Sequence, residues 1–191
     1  SGYTPGDRLT YTAQSGISGT WIEASRTLSF SGSASLATYQ ALLSSVLFDS
    51  TSANPTAVSA SRSLRWQVDD GSGLNNLSTP ITSSIAITAV NDAPLISSNG
   101  GGASASLAIP EGTTYVTTVV ASDPEGSPLT YSLDSSYADV ARFAIDPITG
   151  DLSFKPPAPT TSSPSDIGAN NVYDVRVLAS DGALSTSQTL A

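Results

Sequence analysis

Apolar and polar residues alternate in short runs along most of the chain, and turn-forming residues separate the runs. In the first half such runs cover residues 9–13, 20–23, 27–30, 63–68 and 84–90, with Gly, Ser, Asn and Asp between them. This alternation is the pattern of strands that bury one face. Short strands that recur about every ten residues are typical of a β-sandwich, so we predict one for the first half.

One segment of the first half follows helical spacing instead. Its apolar residues recur at intervals of three or four positions: Leu36, Tyr39, Leu42, Leu43 and Val46. Ser35 precedes them, where a serine hydroxyl can cap the first turn of a helix. We therefore predict a short helix that packs across one end of the sandwich.

A second series of strand-like runs follows a polar junction at residues 91–94, which reads Asn-Asp-Ala-Pro. The proline cannot donate to a sheet ladder, so the preceding strand has to end there. Beyond it, runs at 106–109, 115–121, 129–133, 143–145, 152–154, 172–179 and 186–190 predict about seven further strands. We predict an all-β chain of two tandem antiparallel β-sandwich domains, 1–90 and 95–191, joined by a linker at 91–94.

Two further features concern the loops and the ends. Residues 155–171 are rich in Pro, Ser and Thr and lack periodicity, which predicts an exposed and flexible crossover loop. The chain begins just before one predicted strand and stops inside another. We expect a truncated first module, an incomplete last strand and a fragment cut from a longer array.

Composition restricts the chemistry that the chain can perform. Sixteen acidic residues face seven basic ones, for a net charge of -9, which disfavours nucleic acid and anionic lipid and favours metal cations. The chain has no cysteine and no histidine, so disulfides, thiolate or imidazole ligands and the usual general base are excluded. No apolar run approaches the roughly 20 residues of a membrane span. Hard cations bound by oxygen remain possible, and catalysis is not expected.

The second half resembles a cadherin repeat through four motifs that occur in order. They are Pro110-Glu111-Gly112, Ser122-Asp123-Pro124-Glu125-Gly126, Phe143-Ala144-Ile145-Asp146 with Thr149-Gly150-Asp151-Leu152, and Ala179-Ser180-Asp181-Gly182. The first half is similar to a companion module through Gly6-Asp7, Leu28-Ser29-Phe30-Ser31-Gly32, Val68-Asp69-Asp70-Gly71 and the junction Val90-Asn91-Asp92-Ala93-Pro94. Together they resemble the cadherin-like tandem repeat modules of large secreted bacterial adhesins, the RTX or type I-secreted adhesin family.

That resemblance implies Ig-like or cadherin-like sandwiches, an extracellular place on the bacterial cell surface, and Ca²⁺ bound between the domains. The ligands it implies are Asn91, Asp92, Asp123, Glu125 and Asp181, together with Asp49, which is expected in a loop before a strand. Ca²⁺ takes such mixtures of carboxylate, amide and carbonyl oxygens. Side chains at alternate positions point to one face, so Asp123 and Glu125 are expected to act together. Without a cation the converging carboxylates would repel one another.

Other acids match the family pattern less fully. Asp69 and Asp70 share the strand-end Asp-Gly motif of Asp181 and would serve the opposite end of the first module. Glu111 would serve a joint after the second module, where a proline-rich stretch at 156–161 replaces the expected acids and only Asp166 could compensate. Asp146 and Asp151 flank a Pro-Ile-Thr-Gly turn and are expected to stabilise it.

The function these features indicate is mechanical: a calcium-rigidified stalk that supports cell adhesion or biofilm formation, with neighbouring repeat modules as its partners. One alternative is a carbohydrate-binding accessory sandwich of a secreted enzyme, which needs an exposed row of aromatic side chains. Trp66 is expected in the core, and Trp21 either in the core or partly exposed. A second alternative is weak homophilic adhesion through an edge strand.

Overall fold

The computed structural model describes all 191 residues and divides the chain into two units, Ser1–Val90 (unit 1) and Asn91–Ala191 (unit 2). Strands dominate both units, which confirms the all-β class. The single α-helix is nine residues long, and no helix of the structure is long and apolar enough to cross a bilayer.

Unit 1 contains six strands and the helix. Their bounds are β1 Asp7–Thr10, β2 Ile17–Ile22, β3 Thr27–Gly32, α1 Leu36–Ser44, β4 Leu47–Ser50, β5 Ser61–Trp66 and β6 Ile81–Ala86. The strands pair antiparallel as three two-stranded ribbons, β1 with β4, β2 with β3, and β5 with β6. Ser35 caps α1 as predicted, since its hydroxyl accepts a hydrogen bond from the Thr38 amide at 3.1 Å.

Asp49 does not lie in a loop, so that expectation is wrong. It belongs to β4, where the antiparallel register sets it opposite Arg8 of β1. Two guanidinium nitrogens of Arg8 donate to Asp49 Oδ2 at 2.9 and 2.7 Å. The sequence pattern does not predict β4, because this strand is only four residues long and begins shortly after the helix.

The interior of unit 1 contains few fully buried apolar side chains. Only Ile17 and Leu42 fall in that class, whereas Thr4, Asp7 and Arg62 are buried polar residues. Arg62 donates to the Asp7 carboxylate, to Thr4 Oγ1 and to the Ser59 carbonyl. This network ties the start of the chain to β5 and to the loop before it.

Unit 2 contains nine short strands and one 3₁₀ turn. Their bounds are β7 Leu95–Ile96, β8 Ser104–Ala105, β9 Tyr115–Thr118, β10 Ala121–Ser122, β11 Thr130–Leu133, the turn Val140–Arg142, β12 Phe143–Ile145, β13 Asp151–Phe154, β14 Val175–Ser180 and β15 Ser185–Leu190. One sheet has the order β11-β14-β15-β8, a second has the order β12-β13-β9, and β10 pairs with β7. All pairs are antiparallel except that of β15 with β8.

Both larger sheets of unit 2 contribute to one core. Its buried members are Ile96, Val119, Tyr131, Phe143, Leu152, Phe154, Val175, Val177, Ala179 and Leu190. Along β14 buried positions alternate strictly with half-buried ones, as expected for a strand with one face in the core. Leu152 and Val177 are completely buried.

The predicted single strand at 115–121 is interrupted. Up to Thr118 the chain pairs with β13, and from Ala121 it pairs with β7. Between these pairings the Val119 amide donates to the Gly150 carbonyl at 2.9 Å. Apolar and polar residues continue to alternate where the chain changes its pairing strand from β13 to β7, so the sequence pattern does not indicate the interruption.

Two buried carboxylates, Asp139 and Asp166, accept backbone amides of the proline-rich segment at 155–171. Asp139 accepts the amides of Ile167 at 2.7 Å and Asp174 at 3.0 Å. Asp166 accepts the amides of Asn170 at 2.9 Å and Asn171 at 3.2 Å. The segment is exposed in large part, as expected, but the Ile167–Asp139 bond joins it to the rest of unit 2, and the Asp166 bonds order its end internally.

Candidate cation site of unit 2

Three strand ends of unit 2 bring the predicted acids to the start of the unit. Asp123 and Glu125 follow β10, and Asp181 follows β14. The junction enters β7, and β7 pairs with β10 so that Leu95 lies opposite Ser122. Residues just before β7 and just after β10 are therefore neighbours, because antiparallel strands place these ends together.

Two hydrogen bonds connect the junction to these acids. Asn91 Nδ2 donates to Asp181 Oδ2 at 2.7 Å, and the Asp92 amide donates to Glu125 Oε2 at 3.1 Å. Each bond spans a long stretch of sequence, 90 residues in the first case and 33 in the second. Folding, rather than local sequence, thus brings four of the predicted residues together as two pairs, Asn91 with Asp181 and Asp92 with Glu125.

The Asp123 side chain stabilises the loop that follows β10. Its Oδ1 accepts the amides of Glu125 at 3.1 Å and Ser127 at 2.9 Å, which makes an Asx-type turn. Ser127 was not anticipated from the sequence, where only its place after Gly126 hints at a turn. The turn fixes the position of the Glu125 backbone relative to the Asp123 carboxylate.

One carboxylate oxygen of Asp123 and one of Glu125 have no hydrogen-bond partner. Asp123 Oδ2 and Glu125 Oε1 are both buried and accept no hydrogen bond. Neither residue, nor Asp181, takes part in an ion pair. Buried carboxylate oxygens without compensation are costly, because water no longer solvates them.

Asp181 is held in its charged form by donors. The Asn91 side chain and the amides of Leu184 and Ala183 all donate to its carboxylate, and together they lower its pKa below the ordinary range. Burial acts in the opposite direction and is outweighed. The side chain is therefore an anion at neutral pH.

Only oxygen atoms could serve as metal ligands in this arrangement. No three acidic side chains lie close enough together to form a metal-binding group. The carboxylates of Asp123 and Glu125 and the amide oxygen of Asn91 could hold a hard cation. Asp92 is fully on the surface, so its side chain is free to turn.

The three predicted acids of unit 1 are bonded locally. Asp49 is paired with Arg8. Both carboxylate oxygens of Asp69 accept from Asn76 Nδ2 at 2.9 Å, and Asp70 Oδ1 accepts the Ser72 amide at 2.9 Å. These bonds stabilise the loop after β5, and a role in cation binding stays a prediction for all three.

Glu111 lies elsewhere in unit 2. Its carboxylate accepts the Thr161 amide at 3.1 Å and the Thr161 hydroxyl at 3.0 Å. It lines a largely apolar cavity of about 310 Å³ whose wall includes Phe143, Phe154 and Tyr173. Glu111 thus anchors the proline-rich segment, and its role at a following joint also stays a prediction.

No exposed aromatic row accompanies the tryptophans of unit 1. Trp21 Nε1 and the Tyr3 hydroxyl both donate to Glu23, at 2.7 Å each. The Arg26 guanidinium covers the Tyr3 ring at 3.9 Å from its centroid. Trp66 is half-buried rather than a full core residue, and its ring donates to Ser83 Oγ. Trp21 Nε1, the Tyr3 hydroxyl and the face of the Tyr3 ring could otherwise contact a sugar, but each already has a partner in unit 1.

No family model matches the chain, and no curated protein sequence matches it. Solved structures of cadherin and protocadherin chains are among those that do. Human protocadherin-24 EC1-2 is 25% identical over 53% of this chain and 42% of that chain, with a TM-score of 0.38. Protocadherin gamma B2 extracellular cadherin domains 1-5 are 18% identical over 96% of this chain and 31% of that chain, with a TM-score of 0.47. Mouse clustered PcdhgC3 EC1-3 is 20% identical over 96% and 53%, with a TM-score of 0.41.

The chain therefore spans between about a third and a half of the structures it resembles. At TM-scores below 0.5 the matches carry no further argument, and the fold rests on the sheets and cores described above.

Proposed function

We propose that the chain is an extracellular adhesion module that binds Ca²⁺ at the start of unit 2, and that it belongs to the stalk of a bacterial surface adhesin. The observation that carries this proposal is the pair of buried oxygens, Asp123 Oδ2 and Glu125 Oε1, which accept no hydrogen bond. A divalent cation would supply the missing compensation, because carboxylate oxygens are the ligands that Ca²⁺ prefers. No basic side chain forms an ion pair with either residue.

The junction would complete the coordination. Asn91 and Asp92 already contact Asp181 and Glu125, and rotation of their exposed side chains would turn their oxygens towards the ion. Ca²⁺ takes six to eight oxygens at about 2.3–2.6 Å, and backbone carbonyls and water can fill the remaining positions. The ion would hold residues 91–94 in one conformation.

In this proposal calcium acts mechanically. A linker of a few residues allows two modules to hinge, whereas a bound ion restricts the linker and so stiffens a tandem array that supports adhesion or biofilm formation. Neighbouring repeat modules are the expected partners, with weak homophilic contacts as an addition. Catalysis has no part in the proposal, and the chain has no histidine to act as a general base.

Extracellular sites of this kind bind Ca²⁺ with dissociation constants of about 10⁻⁴ to 10⁻³ M. At a tenfold excess over that constant, one site adds about 1.4 kcal/mol to the stability of unit 2. This is a modest fraction of the usual stability of a domain, so the fold should form without the ion. Calcium should therefore change rigidity more than structure.

Calorimetric titration of the whole chain with CaCl₂ tests the proposal. We expect binding in the submillimolar to millimolar range, and loss of that binding in the double variant Asp123→Asn, Glu125→Gln. The matched control is Asp146→Asn, Asp151→Asn, which removes two charges from an exposed turn of the same unit. The proposal is wrong if the chain takes up no calcium, or if both double variants bind it equally.

A scattering experiment separates binding from rigidity. Calcium should narrow the distribution of maximum dimensions measured by small-angle X-ray scattering, and the Asp123→Asn, Glu125→Gln variant should show no such change. Binding without any change in scattering would support the site but contradict its mechanical role.

A further inference from the structure

A tight turn of unit 2, at residues 98–101, has Asn99 and Gly100 at its centre. The Gly101 amide donates to the Ser98 carbonyl at 2.9 Å and closes the turn. Asn99 and Gly100 both have positive φ, 51° and 83°. Two central residues with positive φ are the mark of a type I′ turn, and Asn followed by Gly is the sequence that such turns prefer. The backbone of the turn therefore accounts for this pair of residues.

The Asn99 side chain joins the turn to both larger sheets of unit 2. Its Nδ2 donates to Gln188 Oε1 at 3.2 Å, and Gln188 belongs to β15. Its Oδ1 accepts the Thr117 hydroxyl at 3.1 Å, and Thr117 belongs to β9. Strands β15 and β9 lie in different sheets. One amide group thus connects the two sheets, with its donor on one side and its acceptor on the other.

The bond to β15 requires an amide at this position. Gln188 is completely buried, and its Nε2 donates to the carbonyls of Ser98 and Gly102 at 3.2 and 2.9 Å. These two bonds orient the Gln188 side chain, so its Oε1 faces Asn99 and can only accept. A carboxylate in place of the Asn99 amide would set one acceptor against another, and the bond would be lost.

Asn99 is also the asparagine with the most reactive sequence context in the chain. The chain has seven asparagines, and glycine follows only Asn99. The backbone nitrogen of the following residue can attack the side-chain carbonyl carbon, expel ammonia and close a five-membered imide. Glycine hinders this attack least, because it has no Cβ. Water then opens the imide to aspartate or isoaspartate, so a carboxylate replaces the amide.

Hydrogen bonds, rather than lack of space, oppose this reaction in the folded unit. No heavy atom lies within 4 Å of the place that a Cβ on Gly100 would occupy, so this side of the turn is open. The Asn99 side chain is half-buried, and both its polar atoms are bonded. Ring closure has to turn its carbonyl carbon towards the Gly100 nitrogen, so these bonds must break first.

We propose that Asn99 is a site of spontaneous deamidation: local opening of the turn at 98–101 lets Gly100 cyclise onto Asn99, and the resulting carboxylate keeps the turn from rejoining β15. The reaction consumes one water, releases one ammonia and needs no enzyme. The product lacks the donor that Gln188 Oε1 accepts, so a transient opening becomes permanent. None of these residues belongs to the candidate cation site, so the reaction does not depend on the proposed function.

The rate test uses the whole chain in mildly alkaline buffer with EDTA, and peptide mapping follows the mass gain of each amide-to-acid conversion. In urea, Asn99 should convert faster than each of the other six asparagines. Without urea its conversion should be slower by at least about tenfold, because the turn opens only rarely. The proposal is overturned if another asparagine converts as fast in urea, or if urea does not change the rate at Asn99.

Two neighbouring threonines provide a matched pair of variants. Thr117→Val removes the hydroxyl that donates to Asn99, and should speed conversion in the folded chain by about threefold or more. Thr118→Val is the control, because the Thr118 hydroxyl bonds to Asp151 on the opposite face of β9. It should leave the rate at Asn99 unchanged. Equal rates in the two variants would contradict control by the Asn99 hydrogen bonds.

Asn99→Asp measures the effect of the product without the reaction. Hydrogen exchange at the amides of Gly101 and Thr189, which bond to carbonyls at 98 and 103, should become faster by about tenfold. If Asn99→Asp fails to fold, aged wild-type chain separated by ion exchange allows the same measurement. Asn99→Gly suits the positive φ and should show no mass gain at this turn on ageing. Wild-type exchange in the chain with a carboxylate at position 99 would overturn the proposal.

Discussion

Asn91 and Asp181 are 90 residues apart in sequence, and a 2.7 Å hydrogen bond joins their side chains. The bond connects the junction that enters β7 to the turn that leaves β14. Asp181 is thereby fixed as an anion that contacts the junction at which the chain enters unit 2. The first prediction depends on this contact.

Asp181→Asn should weaken calcium binding by about tenfold, because it removes a charge close to a hard cation while keeping the side-chain volume. The amide oxygen can still accept the Ala183 and Leu184 amides, so the turn should persist. Calorimetric titration measures the change, with Asp151→Asn as the control. Equal affinity in both variants would remove Asp181 from the site.

Arg62→Met should destabilise unit 1 by about 3–5 kcal/mol, because it leaves the Asp7 carboxylate buried without its cation. Arg65→Met, on the exposed side of the same strand, should cost no more than about 0.5 kcal/mol. Urea unfolding monitored through the tryptophans, both of which lie in unit 1, reports the difference. Similar midpoints for the two variants would contradict a stabilising role for the buried network.

Acid should destabilise unit 1 through Asp7. Burial raises the pKa of Asp7, but hydrogen bonds from Arg62, the Thr4 amide and Ser50 outweigh it and lower the pKa below its ordinary value. The contribution of Asp7 is therefore present above about pH 4, the value in the unfolded chain, and is lost as the pH falls through the lower folded value. Unfolding midpoints between pH 6 and pH 2 should fall more steeply in the wild type than in Asp7→Asn. Parallel curves would show that another group controls acid unfolding.

Asp139→Ala should release the proline-rich segment of unit 2. The variant leaves the part-buried amides of Ile167 and Asp174 without their acceptor, at a cost of about 1 kcal/mol. Limited proteolysis should then cut within 155–171 faster than in the wild type. Asp174→Ala, which removes an exposed carboxylate but keeps the backbone amide, should be cut at the wild-type rate. Unchanged cleavage in Asp139→Ala would mean that other contacts hold the segment.

Leu152→Ala should cost unit 2 about 2–5 kcal/mol, because this side chain is completely buried between the sheets. Leu184→Ala is the matched control, since Leu184 is 43% exposed in the turn between β14 and β15. Calorimetric unfolding of the two variants should differ by several degrees. Equal transition temperatures would contradict the assignment of Leu152 to the core.

Local pattern was sufficient for much of the fold. Alternation predicted β3, β5, β11, β13 and β15 to within two or three residues, and the serine cap and helical spacing predicted α1. It failed where pairing partners change, as between β9 and β10, and where a strand is too short to alternate, as in β4. In both cases the pairing strand lies far away in sequence, so the pattern of the neighbouring residues cannot predict it.

The sequence by itself determined the chemistry: a chain without histidine or cysteine, with an excess of acids placed at strand ends and at one junction, offers only oxygen ligands. Only the tertiary structure decided which of those acids meet. Asp49, Asp69 and Asp70 bond to neighbours within unit 1, whereas strand pairing in unit 2 brings Asn91 to Asp181 and Asp92 to Glu125. Contacts between residues far apart in sequence depend on which strands pair in the sheet, and no local pattern records that pairing.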